Sequence, residues 1–305
     1  MLVIEMREHG GPEVLRLVER PDPTPSAGEV VVDIRAASVN AADWKVRRGT
    51  SVHNARLPHV PGRDFSGVVS AVGPGADLAV GDAVFGVCPA SSEEAYAEKI
   101  AIAAEYVTAV PGDLSHAEAA AIALAGLTAM VALEDCLAVK AGEKVLIQGG
   151  AGGVGSMAVQ IARHIGAQVG ATARAANHDY IGSLGADRAI DYRTEDIATV
   201  FGGCDAAFDC VGEATVRSTF AALKRGGRAA FIALGRTPPA PPRADLASFK
   251  PDVFRSRERI ERLARLVAGG AIRSPQIERM PLADAARAHA LSEAGHVRGK
   301  IVLEP

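Results

Sequence analysis

A glycine-rich segment at residues 145–156, with the sequence VLIQGGAGGVGS, carries the clearest indication of chemistry in this chain. It contains the pattern G-x-G-x-x-G at Gly150, Gly152 and Gly155, between an apolar run typical of a strand and a stretch typical of a helix. We expect Gly150 to allow the tight turn, Gly152 to let the backbone approach a pyrophosphate, and Gly155 to let helix and strand pack closely. The amides at the helix N-terminus would then bind the phosphates. The other residues of this predicted loop are Ala151, Gly153 and Val154. The alternative is a glycine-rich turn that binds no ligand.

The end of the next predicted strand indicates which dinucleotide is bound. Sheets that bind NAD usually carry Asp or Glu there, and its carboxylate holds the 2′-hydroxyl of the ribose. Here residues 171–174 read ATAR, and the first acidic residue is Asp179, inside the next predicted helix. The Arg174 guanidinium is suited to pair with a 2′-phosphate, and the Thr172 hydroxyl to donate to it. The missing acid therefore predicts NADPH rather than NADH as the cofactor.

Cysteine and histidine spacing argues against a metal centre. No two of the four cysteines form a C-x-x-C pair, and none of the eight histidines forms a metal-spaced pair. We therefore expect neither a disulfide framework nor a metal site. The cysteines are Cys88, Cys136, Cys204 and Cys210.

Composition excludes several classes of protein. Hydrophobic residues make up 48% and charged residues 23% of the 305 residues, so we expect a folded chain. The net charge of −3, without a basic block, gives no support for nucleic-acid binding. The uncharged run at residues 119–133 is shorter than the roughly 20 residues needed to span a bilayer, so we expect a buried helix and no membrane partner. Glu5 and Glu8 argue against a signal peptide, and we expect a cytoplasmic protein.

Two kinds of sequence pattern suggest two domains. The first third has β-branched runs separated by glycine and proline, as expected for a barrel-type β domain. After Ala117, short apolar strands alternate with helices, which predicts a parallel sheet covered on both faces. We expect the α/β domain at residues 121–248 to be inserted into a β domain formed by residues 1–120 and 249–305. The predicted strands include residues 30–39, 64–73, 81–87, 144–150, 168–173, 188–192, 206–212, 227–235 and 300–304.

Several segments occur in the same order as in a known family. They include SVNAADWKVRRG (38–49), PGRDFSGVVSAVG (61–73), VLIQGGAGGVGSMAVQIAR (145–163), LGADRAIDYR (184–193) and VRGKIVL (297–303). Over nearly its whole length the chain resembles the zinc-free, zeta-crystallin-like quinone oxidoreductases of the medium-chain dehydrogenase/reductase superfamily. The resemblance implies an α/β fold in which a doubly wound Rossmann sheet is inserted into a GroES-like, barrel-type catalytic domain.

Two positions separate this chain from zinc-dependent relatives, which carry Cys-Gly-x-Asp and Gly-His-Glu segments. The matching residues here are Asn40-Ala41-Ala42-Asp43 and Gly62-Arg63-Asp64, without the thiolate and imidazole that zinc prefers. Without zinc, alcohol oxidation loses its Lewis acid. The remaining chemistry is hydride transfer to a soft electrophile such as a quinone or an enone.

The resemblance also implies roles for individual residues. Asn40 would lie at the nicotinamide–substrate cleft, where its amide either contacts the acceptor carbonyl or braces the loop. Asp43 belongs to the same candidate catalytic segment. For Asp43 and Arg63, however, the favoured role is an internal ion pair that joins their two segments. Trp44 would stack on a flat ring or be a core aromatic. The loop, Thr172 and Arg174 are joined by further cofactor contacts that the resemblance implies. These are Thr128, Tyr192, Val211, Ala233, Leu234, Gly235 and Lys300.

These observations predict an NADPH-dependent oxidoreductase that reduces quinones or other α,β-unsaturated carbonyls by zinc-independent hydride transfer. An enoyl-thioester reductase, a non-catalytic NADPH-binding protein and an NADH-linked alcohol or aldehyde enzyme are the alternatives. We expect a small-molecule substrate and a homodimer, because relatives commonly pair through the edge of the Rossmann sheet. An exposed edge strand near Phe231 makes such pairing plausible.

Overall fold

A computed structural model describes residues 1–51, 55–89 and 92–305, so His53 lies outside the described residues. The chain divides into two units: Met1–Leu124 with Phe254–Pro305, and Ala125–Val253. The strands are β1 (Leu2–Glu5), β2 (Arg16–Glu19), β3 (Glu29–Ser38), β4 (Asp64–Val72), β5 (Ala83–Val87), β6 (Lys99–Ala103), β7 (Val107–Ala109), β8 (Lys144–Gln148), β9 (Gln168–Ala173), β10 (Arg188–Asp191), β11 (Cys204–Asp209), β12 (Leu223–Phe231), β13 (Ala247–Phe249), β14 (Ile277–Pro281) and β15 (Lys300–Glu304). The α-helices are α1 (Ala41–Arg47), α2 (His116–Met130), α3 (Gly153–Ile165), α4 (His178–Ser183), α5 (Ile197–Phe201), α6 (Val216–Ala221), α7 (Arg257–Ala268) and α8 (Ala285–Glu293).

The first unit is built on a largely antiparallel sheet with the strand order β14-β15-β3-β4-β5-β7, and β6 also pairs with β3. Strand β3 is rich in β-branched residues, which favours a pleated and buried surface. The last strand, β15, pairs with β3 through Val302 opposite Ser38. The C-terminal segment therefore completes the sheet begun by the N-terminal segment, as the resemblance implied.

The apolar helix α2 is packed inside the structure. Its alanines Ala117, Ala120 and Ala121 are buried against Ala36 of β3 and Val302 of β15, since small side chains allow a helix to approach a sheet closely. The helical segment His116–Cys136 includes a π-helical turn after α2 and is long and apolar enough to cross a membrane by length and composition. However, 83% of its most apolar window is buried within the structure, as in a core helix.

The second unit is a parallel sheet with the strand order β10-β9-β8-β11-β12-β13. The chain runs from β8 outward to β10 and then returns to the other side of β8 with β11. This is the doubly wound order of dinucleotide-binding sheets, and its switch point lies between β8 and β11. The predicted fold class is confirmed. Ligands in such sheets bind beyond the carboxyl ends of the strands next to this point.

The prediction of an exposed edge strand near Phe231 is wrong. Phe231 ends β12, is fully buried, and lies between β11 and β13 in the sheet. The edge is the short strand β13, which follows the proline-rich residues 236–243 and whose Phe249 is 37% exposed. Residues 247–249 carry no strand signal in the sequence, because three residues are too few to show an alternating pattern.

Candidate functional site

The turn after β8 has the geometry of a phosphate loop. Gly149 takes the left-handed conformation, with φ +76°, which side chains rarely adopt. The Gly150 amide then donates to the Thr172 carbonyl, 2.9 Å away, and the loop is tied to the end of β9. The tight turn that the sequence analysis assigned to Gly150 therefore falls on Gly149.

Gly155 allows the first turn of α3 to pass directly under this loop. A Cβ atom at Gly155 would lie 2.1 Å from the Gly149 carbonyl oxygen, which is far inside van der Waals contact. Gly152 is the N-cap of α3, and the amides of the first helical turn have no partners within the helix. Ala151 is buried, whereas Gly153 and Val154 are half-buried at the start of the helix. The loop therefore presents backbone donors and the positive end of a helix dipole to an anion.

Arg174 and Tyr192 meet at the carboxyl ends of β9 and β10. The Arg174 Nε donates to the Tyr192 hydroxyl oxygen at 3.3 Å, and this hydrogen bond lowers the pKa of the tyrosine. The tyrosine is 48% exposed. A cation and a phenol thus stand together where a 2′-phosphate is expected.

Thr172 does not join this pair. Its side chain is buried, and its hydroxyl donates to the Gln148 Oε1 at 2.8 Å while accepting from the Gly149 amide at 3.0 Å. Because the hydroxyl proton is committed to Gln148, it does not donate to a phosphate in this structure. We therefore assign Thr172 to the support of the loop.

The remaining predicted residues of the second unit lie near two further turns and on α2. Val211 follows β11 and is 49% exposed, and a Cβ atom on Gly149 would lie 3.0 Å from its Cγ2. The turn after β12 contains Ala233, Leu234 and Gly235, and the Lys250 Nζ donates to the Leu234 carbonyl at 2.9 Å. Thr128 lies on α2 and is buried. Val211 is therefore next to the phosphate loop, and the β12 turn is held by Lys250.

In the first unit, Asn40 lies in a hydrogen-bonded polar cluster. Its Nδ2 donates to the Ser38 carbonyl at 3.2 Å and to the Asp64 Oδ1 at 2.9 Å. Its Oδ1 accepts from the Lys300 Nζ at 2.7 Å. The amide thus braces three chain segments. Since both Nδ2 hydrogens are used, contact between this amide and an acceptor carbonyl stays a prediction.

Lys300 lies beside Asn40, and its expected contact with the cofactor stays a prediction. Its side chain is buried, and its Nζ donates to the Val39 carbonyl at 2.9 Å as well as to Asn40. Burial lowers the pKa of this amine, whereas the nearby carboxylates of Asp64 and Asp43 act in the opposite direction. The ammonium group therefore orients Asn40 within its own unit.

The expected ion pair between Asp43 and Arg63 is confirmed, with 3.1 Å between Asp43 Oδ1 and Arg63 Nε. Asp43 is fully buried, and its Oδ2 accepts from the Asn40 amide and from the Tyr96 hydroxyl, at 2.8 and 2.9 Å. Burial raises the pKa of Asp43 to about 6, against the opposing charge of Arg63. Glu93 pairs with the other side of Arg63 at 2.5 Å. We therefore assign Asp43 to bracing α1 and the β4 segment, rather than to contact with a substrate.

The zinc-ligand positions of zinc-dependent relatives are held here by Asn40 and Arg63. An amide and a guanidinium do not supply the thiolate and imidazole that zinc prefers. Within residues 1–51, 55–89 and 92–305, no group of three or more His, Cys, Asp or Glu side chains is arranged to hold a metal ion. The donor chemistry of this cluster therefore does not fit a catalytic zinc.

Sequence reasoning missed several residues that support these sites. Gln148, Asp209 and Thr219 form buried hydrogen bonds behind the phosphate loop, and Tyr96 closes the Asp43 cluster. A signal was present in two cases, because Gln148 and Asp209 are polar residues that directly follow the apolar runs at residues 145–147 and 206–208. Tyr96 gave none, since its partner lies 53 residues away in the sequence.

The chain is similar to known families and to several known proteins. Residues 26–123 match the alcohol dehydrogenase GroES-like domain family, and residues 184–303 match the zinc-binding dehydrogenase family. A mycocerosic acid synthase-like polyketide synthase of Mycobacterium tuberculosis is 34% identical over 99% of this chain, which spans 15% of that protein. A chloroplast envelope quinone oxidoreductase homolog of Arabidopsis thaliana is 32% identical, with 97% of this chain and 95% of the relative covered. An NADPH-dependent alkenal/one oxidoreductase of the same plant is 30% identical, with 98% and 78% covered.

Solved structures share the whole fold. An NAD-dependent alcohol dehydrogenase has a TM-score of 0.92 and 32% identity, and all of both chains is covered. The Escherichia coli quinone oxidoreductase complexed with NADPH has a TM-score of 0.90 and 29% identity, again over all of both chains.

The phosphate loop makes a first testable prediction. A Gly155→Ala change places a methyl group against the Gly149 carbonyl, so the helix must move away from the loop. We expect a loss of stability of about 1–3 kcal/mol, as in overpacked cores, and at least tenfold weaker NADPH binding. Fluorescence titration of NADPH and thermal unfolding measure the two effects. Gly182→Ala in α4, where a Cβ atom meets nothing within 4 Å, is the matched control. Equal affinities for both variants would contradict the role of Gly155.

The Lys300–Asn40 contact makes a second prediction. Lys300→Met removes the ammonium donor to Asn40, and a hydrogen bond from a charged group contributes about 1.5–3 kcal/mol. We expect kcat/KM for the acceptor to fall about tenfold or more, while the dissociation constant of NADPH stays within twofold of the wild type. Lys99→Met, which removes an ion pair with Asp33 at the surface of the same unit, should change neither value. Weakened NADPH binding with unchanged kcat would instead make Lys300 a cofactor contact.

Proposed function

Since the chain belongs to the quinone oxidoreductase family of the medium-chain dehydrogenase/reductase superfamily, we propose that it reduces quinones or other α,β-unsaturated carbonyls without zinc. The chain is an NADPH-dependent oxidoreductase. Our proposal goes further than this in two respects, the class of the acceptor and a mechanism without zinc. The observation that carries it is the polar cluster around Asn40, in which the Asn40 amide and the Arg63 guanidinium take the place of metal-ligating side chains, and Lys300 donates to Asn40.

The chain's own residues fit NADPH. The loop at Gly149–Gly155 is suited to the pyrophosphate, because its backbone approach is open and its donors point outward from a helix N-terminus. Arg174 and Tyr192 are suited to the 2′-phosphate, and no acidic side chain occupies residues 171–174. When bound, NADPH supplies the hydride.

The role of the first unit is to stabilise charge on the acceptor. Reduction of a quinone or an enone puts negative charge on an oxygen, and fixed positive groups favour its development. Lys300 is held by Val39 and Asn40, and its charge is kept in a buried setting where electrostatic interactions are strong. We assign this stabilisation to the Lys300–Asn40 pair. Asp43 and Arg63 hold the two segments on which the pair depends.

An enoyl-thioester reductase is the second candidate function. The 34% identity with a polyketide synthase supports it, although this chain spans only 15% of that protein. The reaction would be the same hydride transfer to the β-carbon of a conjugated carbonyl. The acceptor would differ, because it would carry a thioester in place of a quinone ring.

Turnover measurements at 340 nm test the acceptor and the cofactor together. We expect oxidation of NADPH with a simple quinone or a small enone, and much slower oxidation of NADH. Arg174→Ala should raise the KM for NADPH about tenfold or more, because it removes a charge-assisted contact to the 2′-phosphate, and should leave the KM for NADH unchanged. Arg188→Ala, at the amino end of β10, is the control.

Three results of this assay would count against the proposal. Faster turnover of an enoyl thioester than of quinone and enone would favour the second candidate. Equal use of NADH and NADPH would contradict the assignment of Arg174. Loss of activity when a chelator removes zinc would contradict the metal-free mechanism.

We also propose that the protein forms a homodimer and is located in the cytoplasm. Strand β13 is one of the two edges of the parallel sheet, and its exposed Phe249 gives that edge an apolar side chain for a second copy. We expect light scattering to give twice the 31.5 kDa of one chain. Phe249→Glu should reduce this mass to that of one chain. Leu17→Glu, at an exposed residue of β2, should leave it unchanged. A wild-type monomer, or a dimer unaffected by Phe249→Glu, would contradict this interface.

A further inference from the structure

A chain of buried polar side chains lies behind the phosphate loop and is not required by the fold alone. Its centre is Gln148, the last residue of β8, whose side chain is fully buried and directly follows the apolar residues 145–147. Burying an amide costs free energy unless each of its polar atoms has a partner. The partners of Gln148 therefore indicate why a glutamine is held there.

On one side, the chain of hydrogen bonds reaches the phosphate loop. The Gly149 amide donates to the Thr172 hydroxyl oxygen at 3.0 Å. The Thr172 hydroxyl donates in turn to the Gln148 Oε1 at 2.8 Å. The left-handed residue of the loop is thus tied to the carbonyl end of the glutamine side chain.

On the other side, the chain reaches a carboxylate. The Gln148 Nε2 donates to the Thr219 hydroxyl oxygen, 3.2 Å away on α6, and to that of Ser218 at the same distance. The Thr219 hydroxyl donates to the Asp209 Oδ2 at 2.8 Å. Asp209 is fully buried at the end of β11. The direction of donation is therefore the same from the loop to the carboxylate.

The carboxylate fixes a second turn. Its Oδ1 accepts from the backbone amides of Val211 and Gly212, at 2.9 and 3.0 Å. This turn follows β11 on the far side of the switch point, next to the phosphate loop. The two turns that flank the switch point are thus joined through side chains that do not face solvent.

The order of donors and acceptors requires an amide at the centre. Thr172 needs an acceptor and Thr219 needs a donor, and glutamine presents both from one side chain. A glutamate would place a second negative charge near Asp209, on the other side of Thr219. A methionine would leave the Thr172 hydroxyl without its acceptor and the Thr219 hydroxyl without its donor. Hydrogen bonds in such a chain polarise one another, so each bond is strengthened by the next.

We propose that Gln148, Thr172, Thr219 and Asp209 are positioning residues that hold the phosphate loop and the Val211–Gly212 turn in one fixed arrangement for the dinucleotide. This inference rests on the proposed placement of NADPH on the phosphate loop. In it, Thr219 influences NADPH binding without touching the cofactor, because its effect passes through Gln148 and Asp209 to the two turns.

A double-mutant cycle on NADPH affinity tests this coupling. Thr219→Val and Thr172→Val each remove one hydroxyl from the chain at nearly constant volume, and each should weaken NADPH binding about tenfold. The double variant should be weakened by about ten- to twentyfold rather than a hundredfold, because both changes break the same chain. Fluorescence titration well below the unfolding temperature gives the dissociation constants without an acceptor. Thr219→Ser, which keeps the hydroxyl, should bind NADPH within twofold of the wild type.

Thr199→Val is the matched control. It removes a threonine hydroxyl that donates to the Asp196 carboxylate in the same unit, but at the surface of α5. Its NADPH affinity should equal that of the wild type. Should Thr219→Val fail to fold, Gln148→Asn makes the same test, because the shorter amide cannot reach both threonines.

The outcomes separate this inference from the proposed function. Wild-type protein that does not bind NADPH would overturn the dinucleotide site itself. If the wild type binds, unchanged affinity in Thr219→Val, or a double variant weakened by the product of the two single effects, would overturn the coupling alone. Weakened binding in the Thr199→Val control would also overturn it, since the effect would then be one of general stability.

Discussion

The dinucleotide-binding unit depends on one close approach, between the first turn of α3 and the carbonyl of Gly149. A side chain at Gly155 would occupy the position of that carbonyl oxygen, so only glycine lets the helix start directly beneath the strand end. This contact directs the helix N-terminus at the loop. Because β8 lies between β9 and β11, the turns after all three strands meet at the same edge of the sheet. The Gly149 amide, the Thr172 hydroxyl and the Asp209 carboxylate are then joined by hydrogen bonds through Gln148 and Thr219.

The first unit depends on buried charged side chains around Asn40. Asp43, Asp64 and Lys300 have almost no exposed surface, and removing such groups from water costs several kcal/mol for each ion. Burial accordingly raises the pKa of Asp43 and lowers that of Lys300, and the opposite charges nearby reduce both effects. Every one of these charges holds a chain segment: α1, the start of β4 or the start of β15. Removing one partner would leave another buried charge uncompensated.

Much of the fold could be predicted from local pattern. The bounds of β9 match the predicted residues 168–173. The glycine spacing identified the phosphate loop, and the missing acid after β9 indicated NADPH. The contacts that the sequence could not predict share one physical cause, since each depends on a partner distant in sequence. The place of Lys300 is decided by Asn40, 260 residues away, and the direction of the Thr172 hydroxyl by Gln148. The edge of the sheet was misplaced because β13 is too short to be seen without its neighbour β12.

Thr172 shows how support of the loop and choice of cofactor are linked in one residue. Its hydroxyl is both the acceptor for the Gly149 amide and the donor to Gln148. A carboxylate at this residue would face the Gln148 oxygen with no proton to donate, and a buried acceptor would lose its partner. The polar chain therefore disfavours an acid at residue 172, within the strand end where NAD-binding sheets carry one. Since Thr172 supports the loop, we propose that Arg174 and Tyr192 recognise the ribose. Their hydrogen bond lies at the carboxyl ends of β9 and β10. A cation and a phenol there suit a phosphate better than a hydroxyl, so the preference for NADPH follows partly from how the loop is supported.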